Sequence, residues 1–352
     1  MLHDYERHII EPQESAREAL RKLDSLPEFA NRTLFVVDQT ERLLGTVTDG
    51  DIRRGLLRNF EISDIVSVFM HTQFKSVVSK RVSPEVLRSF RNANLTLIPV
   101  VDQNGMLVNV IDLTKTKTIL PITAVIMAGG KGERLRPLTE TVPKPMLHVG
   151  NKPIIEHNID RLIQFGVREI YISINYLGDQ IKNYFGDGSS KGISIRYVEE
   201  SEPLGTIGAL SLIPEFEEET IFLINSDLLT NIDLEQFYTN HHDAGANMSV
   251  ASIPYRVQVP YAVLEAQDER VLGFVEKPGY NYHVSAGMYL IARDALMKWL
   301  PKKGFYNATD FMEKLIAEKG KLIHYPHTGY WLDIGKYADY IKAQEDIKYI
   351  RF

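Results

Sequence analysis

Glycines and basic side chains are concentrated between residues 129 and 144 of this chain of 352 residues. Gly129, Gly130 and Gly132 follow an apolar run of β-forming residues at 124–127. Because glycine has no side chain, backbone N–H groups in such a loop can approach phosphate oxygens closely. Basic side chains that could neutralise charge during a displacement at phosphorus follow in the sequence: Arg134, Arg136 and Lys144. The segment therefore predicts a site for a phosphate-bearing ligand.

Two common phosphate-binding loops do not match this segment. A Walker loop requires Ser or Thr after its Gly-Lys pair, but Lys131 is followed by Gly132. A dinucleotide-binding loop requires glycine at its first, third and sixth positions, and counted from Gly130 the sixth position is Leu135. The sequence therefore argues against both kinds of nucleotide site.

The pattern G-G-x-G-x-R-L-x-P-L-T followed by P-K-P-M resembles the signature of the sugar-phosphate nucleotidyltransferases. Those enzymes join a nucleoside triphosphate to a sugar 1-phosphate and release pyrophosphate. The resemblance implies that Ala128 and the three glycines bind the nucleotide, that Arg134 holds the β and γ phosphates, and that Lys144 contacts the α-phosphoryl group. The alternative is a glycine turn in an ordinary α/β core, with Arg and Lys on the surface.

Composition excludes several kinds of site and partner. The net charge of −6 and the pI near 6.0 argue against a general nucleic-acid-binding protein, which would carry a sustained basic face. The chain has no cysteine, so disulfides, zinc–thiolate sites and thiol nucleophiles are excluded, and any metal must be held by oxygen or imidazole. The N-terminal segment is charged and no apolar stretch approaches about 18 residues, so we expect a cytoplasmic protein without a membrane partner.

The length predicts two domains, which we place at 1–118 and 122–352, with Pro121 at the joint. The first domain contains a weak repeat, in which the strand pair at 34–38 and 45–48 recurs about 64 positions later at 98–102 and 107–111. A helical stretch precedes each pair. This pattern resembles a CBS pair, two packed modules that often bind an adenine nucleotide.

One nucleotide site in this pair matches the CBS pattern. The segment G-T-V-T-D-G-D-I-R-R at 45–54 places Thr48 and Asp51 where the resemblance implies contacts to a phosphate and to ribose hydroxyls, respectively. The second module has Asp112 and Lys115 at the equivalent positions, so we expect at most one intact site. The alternative is a scaffold for self-association, in which Thr48 and Asp51 are only turn and cap residues.

The second domain alternates helical and strand patterns, which predicts an α/β fold with a mostly parallel sheet and helices on both faces. The resemblance implies the Rossmann-like, GT-A-like version of this fold. A short helix is expected at 206–212. The later strands, at 248–253, 262–266, 271–275 and 287–291, lack regular helices between them. We expect them to form a smaller mixed sheet on the sugar side of the cleft.

Two aspartates are candidate metal ligands. Asp227 follows the apolar strand at 220–225, and Asp333 lies in G-Y-W-L-D-I-G. Ligands of open α/β sheets collect at the carboxyl ends of strands, and Mg²⁺ favours paired carboxylates combined with water and substrate phosphates. The resemblance implies that the two acids hold one Mg²⁺ between them, although Ser226 replaces the usual glycine. Each aspartate alone could instead be a turn or cap residue.

Two further segments extend the resemblance to the nucleotide and the sugar. In E-E-S-E-P-L-G-T-I-G-A at 199–209, it implies that Gly205 and Thr206 lie against the base and ribose. Glu200 is a candidate acceptor for a base edge and would suit guanine; the alternative is a solvated acidic loop. In E-K-P at 276–278, the resemblance implies sugar-hydroxyl contacts by Glu276 and a sugar-phosphate contact by Lys277.

The sugar pocket also departs from the family pattern. Tyr261-Ala262 stands where Y-G is usual, and Ser285-Ala286-Gly287 stands where N-A-G is usual. Both departures fall on residues that the resemblance places around the sugar, Ala262 and Gly287. They affect the choice of sugar and leave the predicted reaction unchanged.

The combination of a CBS pair and a transferase domain resembles the branch that includes the glucosamine-1-phosphate guanylyltransferase of legionaminic acid biosynthesis, and the motifs are similar to those of mannose-1-phosphate guanylyltransferases. The resemblance implies a homo-oligomeric, Mg²⁺-dependent enzyme that uses GTP and a sugar 1-phosphate. Alternatives are a uridylyl- or thymidylyltransferase, and a nucleotide-sensing protein without turnover. A sensor would not need all five charged residues of the predicted site: Arg134, Lys144, Asp227, Lys277 and Asp333.

Overall fold

A computed structural model describes residues 5–27, 31–78, 82 and 84–350. The chain divides into two compact units. The first comprises Met1–Leu120, Ile163–Gly166 and Ser190–Gly192, and the second comprises Pro121–Leu162, Val167–Ser189 and Ile193–Phe352. None of the helices in the described parts of the chain has the length and apolarity that a membrane span requires.

The first unit contains two small sheets of the same topology. In each, the first strand pairs in parallel with the second, and the second pairs antiparallel with the third. The repeat expected from the sequence is therefore visible as two matching modules. The elements are β1 (Ile9–Ile10), α1 (Ala16–Ser25), β2 (Thr33–Val37), β3 (Leu43–Thr48), α2 (Asp49–Leu56), β4 (Val77–Val78), α3 (Pro84–Asn92), β5 (Leu97–Val101) and β6 (Leu107–Asp112).

The two modules pack against each other through apolar side chains and backbone bonds. Phe35 and Val37 of the first sheet share a buried cluster with Leu97 and Val110 of the second. The tips of the hairpins are also joined, because Leu43 N donates to the carbonyl of Gly105 at 3.0 Å and Leu107 N to that of Glu41 at 2.9 Å. The two modules thus share one apolar cluster, in addition to a cluster within each module.

The second unit contains one large sheet with helices and several short strand pairs. Its first elements are β7 (Ile122–Met127), β8 (His148–Val149), β9 (Lys152–Pro153), α4 (Ile154–Gln164), β10 (Glu169–Ile174), α5 (Gly178–Phe185), β11 (Ser194–Glu199), β12 (Thr220–Asn225), β13 (Leu228–Thr230) and α6 (Leu234–Asp243). Its later elements are β14 (Met248–Gln258), β15 (Val263–Gln267), β16 (Arg270–Val275), β17 (Gly279–Ala292), α7 (Arg293–Trp299), α8 (Ala308–Ala317), β18 (Leu322–Pro326), β19 (Trp331–Asp333) and α9 (Tyr337–Asp346).

The large sheet has the strand order β11-β10-β7-β12-β17-β14-β18. The first four strands are mutually parallel, β17 is antiparallel to both of its neighbours, and β18 is parallel to β14. β7 is apolar along most of its length, as expected for a central strand covered on both faces. The mixed, mostly parallel α/β fold predicted from the sequence is confirmed.

Two details of the predicted fold are wrong. The strands expected at 248–253 and 287–291 belong to the large sheet as parts of β14 and β17. Of the four later strands expected from the sequence, the other two, β15 and β16, form a separate pair. The helix expected at 206–212 is a 3₁₀ turn over Gly208–Leu212. Gly205 just before it has a left-handed φ of 78°, which interrupts a right-handed helix.

Candidate active site

The glycine loop and the Asp227 turn leave the sheet side by side. Asn225 at the end of β12 is in register with Met127 at the end of β7, and the two strands are parallel. Ser226 N donates to the carbonyl of Met127 at 3.1 Å, which extends this pairing one residue beyond the strand. The loop and the turn therefore meet at the carboxyl edge of the sheet, as the sequence predicts for a ligand site.

Gly132 brings the loop close to Lys144. Its φ of 62° is left-handed, and a Cβ built on it would lie 3.0 Å from Cβ of Lys144 and 3.0 Å from Cγ2 of Thr139. A larger residue would push these segments apart. Ala128 is buried beneath the loop, whereas a Cβ built on Gly130 would have no described atom within 4 Å. Gly130 is therefore the open position of the loop.

Arg134 is exposed but firmly anchored. It lies in a 3₁₀ turn whose next residue, Leu135, is fully buried in an apolar cluster with Leu332 and Ile334. A Cβ built on Gly335 would lie 3.5 Å from both terminal nitrogens of Arg134. The guanidinium therefore lies beside Gly335, which follows Asp333 by two residues. The Arg134 guanidinium thus lies at the same edge of the sheet as the candidate metal ligands.

Backbone pairing brings the two candidate metal ligands together. Leu228 of β13 is in register with Asp333 of β19, and Ile334 N donates to the carbonyl of Asp227 at 3.0 Å. Nζ of the largely buried Lys144 donates to Oδ2 of Asp227. Burial raises the pKa of Asp333, as does the neighbouring charge of Asp227, whereas Lys144 and Arg134 act in the opposite direction.

The donor atoms at this edge fit a hard divalent cation. Oδ1 of Asp227 and Oδ1 of Asp333 are both buried, and neither has a hydrogen-bond partner among the described residues. A buried carboxylate oxygen without a partner is costly, and a cation would remove that cost for both. Three or more His, Asp or Glu side chains are not gathered into a metal cluster in the described parts of the chain. Two carboxylates with water and substrate phosphates would suit Mg²⁺.

Glu200 is a buried clamp that joins strand β10 to the loop at Leu204. It is 8% exposed, its Oε1 accepts from the hydroxyl of Ser173, and its Oε2 accepts from Leu204 N at 2.9 Å. A Cβ built on Gly129 would lie 2.9 Å from the same Oε1. The solvated-loop alternative is wrong for this residue, and its contact to a base edge stays a prediction.

Gly205 and Thr206 have structural contacts of their own. Gly205 has a left-handed φ, and a Cβ built on it would lie 2.6 Å from the carbonyl oxygen of Tyr306. The hydroxyl of Thr206 accepts from Ala308 N at 2.7 Å at the start of α8. These contacts fix the segment that the family resemblance places against the nucleotide, while that role stays a prediction.

The predicted sugar residues fall into two groups. Gly287 lies at an irregularity of β17 with a φ of 71°, and a Cβ built on it would be 2.7 Å from Nδ2 of Asn225. It is therefore close to the Asp227 turn. Ala262, Glu276 and Lys277 are exposed, and Nζ of Lys277 lies 3.9 Å from Oε1 of Glu276. The described contacts do not join these three residues to the two aspartates.

Two residues that the sequence reasoning missed connect the predicted segments. Trp331, two residues before Asp333, donates its indole N–H to the carbonyl of Ala286 at 2.9 Å and so ties β19 to the Gly287 segment. Ser173 holds Glu200, as described above. A lone serine in the apolar strand E-I-Y-I-S-I was the available signal for Ser173, since buried hydroxyls need partners.

In the first unit, Thr48 and Asp51 form a capping box at the start of α2. Thr48 N donates to Oδ2 of Asp51 at 2.9 Å, the Thr48 hydroxyl donates to the same oxygen at 2.6 Å, and Asp51 N donates back to the hydroxyl at 3.2 Å. Arg54 also contacts Oδ1 of Asp51 at 2.5 Å. Both residues therefore act as cap residues, and their nucleotide contacts stay a prediction.

Comparison with protein families gives two matches. The model for the nucleotidyl transferase family matches residues 123–349, and the CBS domain model matches residues 5–58. The first match covers well over half of the chain.

Two curated proteins illustrate the similarity. The chain is 35% identical over 228 residues to the probable mannose-1-phosphate guanylyltransferase 1 of Oryza sativa subsp. japonica, covering 62% of each chain. It is 35% identical over 231 residues to the D-glycero-alpha-D-manno-heptose 1-phosphate guanylyltransferase of Aneurinibacillus thermoaerophilus, covering 64% of this chain and 98% of that protein. The chain thus spans less than two thirds of the rice protein's length.

Solved structures show a similar fold. A putative glucose-1-phosphate thymidylyltransferase from Bacillus anthracis, in complex with a sucrose, has a TM-score of 0.53 and 25% identity, covering 66% of this chain and 97% of that one. HddC from Yersinia pseudotuberculosis, complexed with GMP-PN, has a TM-score of 0.50 and 26% identity, covering 64% and 99%.

Proposed function

This chain belongs to the nucleotidyl transferase family, and from that membership we propose that it transfers a nucleoside monophosphate from a nucleoside triphosphate to a sugar 1-phosphate. The observation that carries the proposal is the set of charges at the carboxyl edge of the sheet. There, Lys144 is paired with Asp227, and Asp227 and Asp333 each keep a buried oxygen without a partner among the described residues. Such a set suits a triphosphate bound with a divalent cation.

The chemistry is an in-line displacement at the α-phosphorus. A phosphate oxygen of the sugar 1-phosphate forms the new P–O bond, and the bond to the β-phosphate bridging oxygen breaks, so pyrophosphate leaves with the electron pair. The attacking phosphate is already ionised, so the protein need not supply a nucleophile. Catalysis then depends on positioning and charge stabilisation.

We assign each charged side chain a role in that displacement. Arg134 holds the leaving phosphates, and Lys144 stabilises the charge that develops on the α-phosphoryl group. Lys277 binds the incoming phosphate and Glu276 the sugar hydroxyls, which requires their exposed segment to come to the substrate. Asp227 and Asp333 would hold Mg²⁺, which supplies charge neutralisation at the triphosphate when bound.

We propose GTP as the nucleotide and a mannose-type or glucosamine-type sugar 1-phosphate as the acceptor. The guanylyltransferases among the similar proteins support the choice of guanine as the base, and so does the GMP-PN complex of HddC. Thymidylyl transfer is the second candidate, because the Bacillus anthracis protein is described as a putative thymidylyltransferase.

We also propose that the first unit binds an adenine nucleotide at Thr48 and Asp51 and that the chain self-associates through this unit. The CBS domain match at residues 5–58 supports the first part. The shared core of the two modules supports a single regulatory body, with one nucleotide site in its first module.

Pyrophosphate release tests the activity. Purified protein with Mg²⁺ is assayed with GTP, UTP, dTTP, CTP and ATP against mannose, glucose, glucosamine and N-acetylglucosamine 1-phosphates. We expect release with GTP and one acceptor class, and its loss in Asp227→Asn, because the amide lacks the charge that a cation requires. Pyrophosphate release with UTP or dTTP, and none with GTP, contradicts the choice of guanine as the base. Normal turnover by Asp227→Asn contradicts the site.

A further inference from the structure

One buried amide holds the turn that carries Asp227. Asn158 lies on α4 and is 3% exposed, and its Nδ2 donates to the carbonyls of Ser226 at 3.4 Å and Leu228 at 3.0 Å. These carbonyls belong to the residues on either side of Asp227. Asn158 therefore restrains the backbone both before and after the carboxylate.

The amide completes a framework around the two aspartates. The carbonyl of Asp227 itself is already bonded to Ile334 N at 3.0 Å, next to Asp333. The Asp227 turn is thus fixed on one side by α4 and on the other by the strand that carries Asp333. Ser226 and Leu228 are 5% and 1% exposed, so water has little access to replace the amide.

The electrostatics of the site explain why such a restraint is needed. The pairing of Leu228 with Asp333 brings the two acids together, and each keeps a buried Oδ1 without a partner among the described residues, so two like charges face each other in the absence of a cation. Repulsion favours separation of the turn from β19. A neutral amide opposes that movement through two hydrogen bonds and adds no charge that would compete for a cation.

Asn158 is one of three polar residues that α4 buries. The helix also buries His157 and Arg161, beside an apolar set that includes Ile155, Ile159 and Leu162. A buried amide there needs hydrogen-bond partners, and its Nδ2 finds them in two carbonyls of the Asp227 turn. Purely apolar packing would not need this residue type.

We propose that Asn158 is a positioning residue that sets the carboxylate of Asp227 for a divalent cation shared with Asp333. The inference rests on the proposed function, which assigns the cation to these two acids. Substitution of a residue that orients a metal ligand typically lowers metal affinity by about 10-fold to 100-fold.

The test compares two substitutions that nearly preserve shape in the full-length protein. Asn158→Leu removes the donor, and Thr123→Val is the matched control. Thr123 is 0% exposed and donates to Oε2 of Glu169 at 3.2 Å, near the start of β7 and away from the carboxyl edge. Each variant loses buried hydrogen bonding in the same sheet unit, so both report the cost to folding, and only Asn158→Leu should alter the metal site.

Mn²⁺ uptake is the direct readout, measured from the EPR signal of free Mn²⁺ without substrates and checked by Mg²⁺ competition. We expect the dissociation constant for Mn²⁺ to rise about 10-fold in Asn158→Leu and to stay at the parent value in Thr123→Val. In turnover assays, the Mg²⁺ concentration for half-maximal rate should rise, while KM for the sugar 1-phosphate stays constant. A folded Asn158→Leu protein with parental Mn²⁺ affinity overturns the inference.

A second variant covers the case in which Asn158→Leu does not fold. Asn158→Ser keeps one hydroxyl donor on a shorter side chain that cannot span both carbonyls, and we expect Mn²⁺ affinity below that of the parent; parental affinity in this variant overturns the inference in that case. A parent protein that takes up no Mn²⁺ contradicts the metal assignment in the proposed function. Parental uptake that is equal in all variants contradicts only the role of Asn158.

Discussion

At the scale of single residues, two adjacent glycines of the signature loop have opposite surroundings. A Cβ on Gly129 would lie 2.9 Å from a carboxylate oxygen of Glu200, which is itself fixed by Ser173 and Leu204. A Cβ on Gly130 would have no described atom within 4 Å. The first glycine is therefore required by the protein itself, and the second is free to face a ligand.

We predict that Gly129→Ala destabilises the protein by about 1–3 kcal/mol, because the buried carboxylate cannot move without losing its hydrogen bonds. Gly130→Ala should change the free energy of unfolding by less than about 0.5 kcal/mol. It should instead raise KM for the nucleoside triphosphate, since a methyl group would obstruct close approach of phosphates. Urea unfolding and initial rates on the two variants check this, and equal destabilisation by both would contradict it.

The sequence predicted the residues of the signature better than it predicted their partners. Gly132, Lys144, Asp227 and Asp333 could be identified because their types and spacing match a family pattern, and the structure gathers them at one edge of the sheet. The clamp made by Glu200 could not be predicted. It depends on the parallel register of β10 and β11, which pairs Ser173 with Val198 and Ile174 with Glu199. This register brings the Ser173 side chain close to Glu200, the residue that follows Glu199.

At the scale of elements, helix α6 is joined to strand β14 by a buried histidine. His241 is 3% exposed, and its Nδ1 lies 2.7 Å from the hydroxyl of Ser249. Burial lowers the pKa of His241 from 6.5 to about 4, and the neighbouring His242 acts in the same direction. The folded protein therefore favours the neutral ring.

This histidine predicts a loss of stability in acid. Because the folded pKa is lowered, its contribution is complete above pH 6.5 and is lost as pH falls toward about 4. We expect the unfolding free energy of the parent to fall more steeply than that of His241→Gln, by roughly 1 kcal/mol per pH unit in this window. Urea unfolding at about pH 7 and about pH 5 measures the difference. His242→Gln, at a 71% exposed side chain, should follow the parent.

The later strands show where reading elements from the sequence reaches its limit. β14 and β17 were recognisable as strands, but their 11 and 14 residues continue from the large sheet into an exposed antiparallel pair. Pairing extends from Met248 with Ile291 to Gln258 with Gly279. Since apolar periodicity reports burial and not the partner strand, it could not place β17 between β12 and β14.

At the scale of the whole molecule, the two modules of the first unit share a topology but differ at the predicted nucleotide position. In the first module, Thr48 is the N-cap of α2 at this position and is bonded to Asp51. In the second, Asp112 is 5% exposed, and its Oδ1 accepts from Thr114 N at 2.9 Å and from the Thr114 hydroxyl at 2.6 Å. Its buried carboxylate is used within a turn, which leaves the first module as the place to test for a ligand.

A matched pair of capping boxes allows that test. Helix α1 begins with the same arrangement as α2, because Ser15 N donates to Oε2 of Glu18 at 3.0 Å and Glu18 N donates back to the Ser15 hydroxyl at 3.3 Å. Asp51→Asn and Glu18→Gln each weaken one cap, at a cost of about 1 kcal/mol. If Asp51 also binds ribose hydroxyls, only the first substitution should weaken binding of AMP or ATP, by about tenfold for a lost charged hydrogen bond.

Calorimetric titration of the full-length parent and both variants with AMP and ATP gives the affinities, and pyrophosphate release with and without these nucleotides gives the effect on turnover. We expect the parent and Glu18→Gln to bind equally and to change rate on binding, and Asp51→Asn to lose both responses together. Equal weakening in both variants would show that Asp51 acts only through the helix cap. Binding without any change in rate would separate a nucleotide site from regulation, since a ligand alters turnover only if it interacts differently with the states that the enzyme passes through.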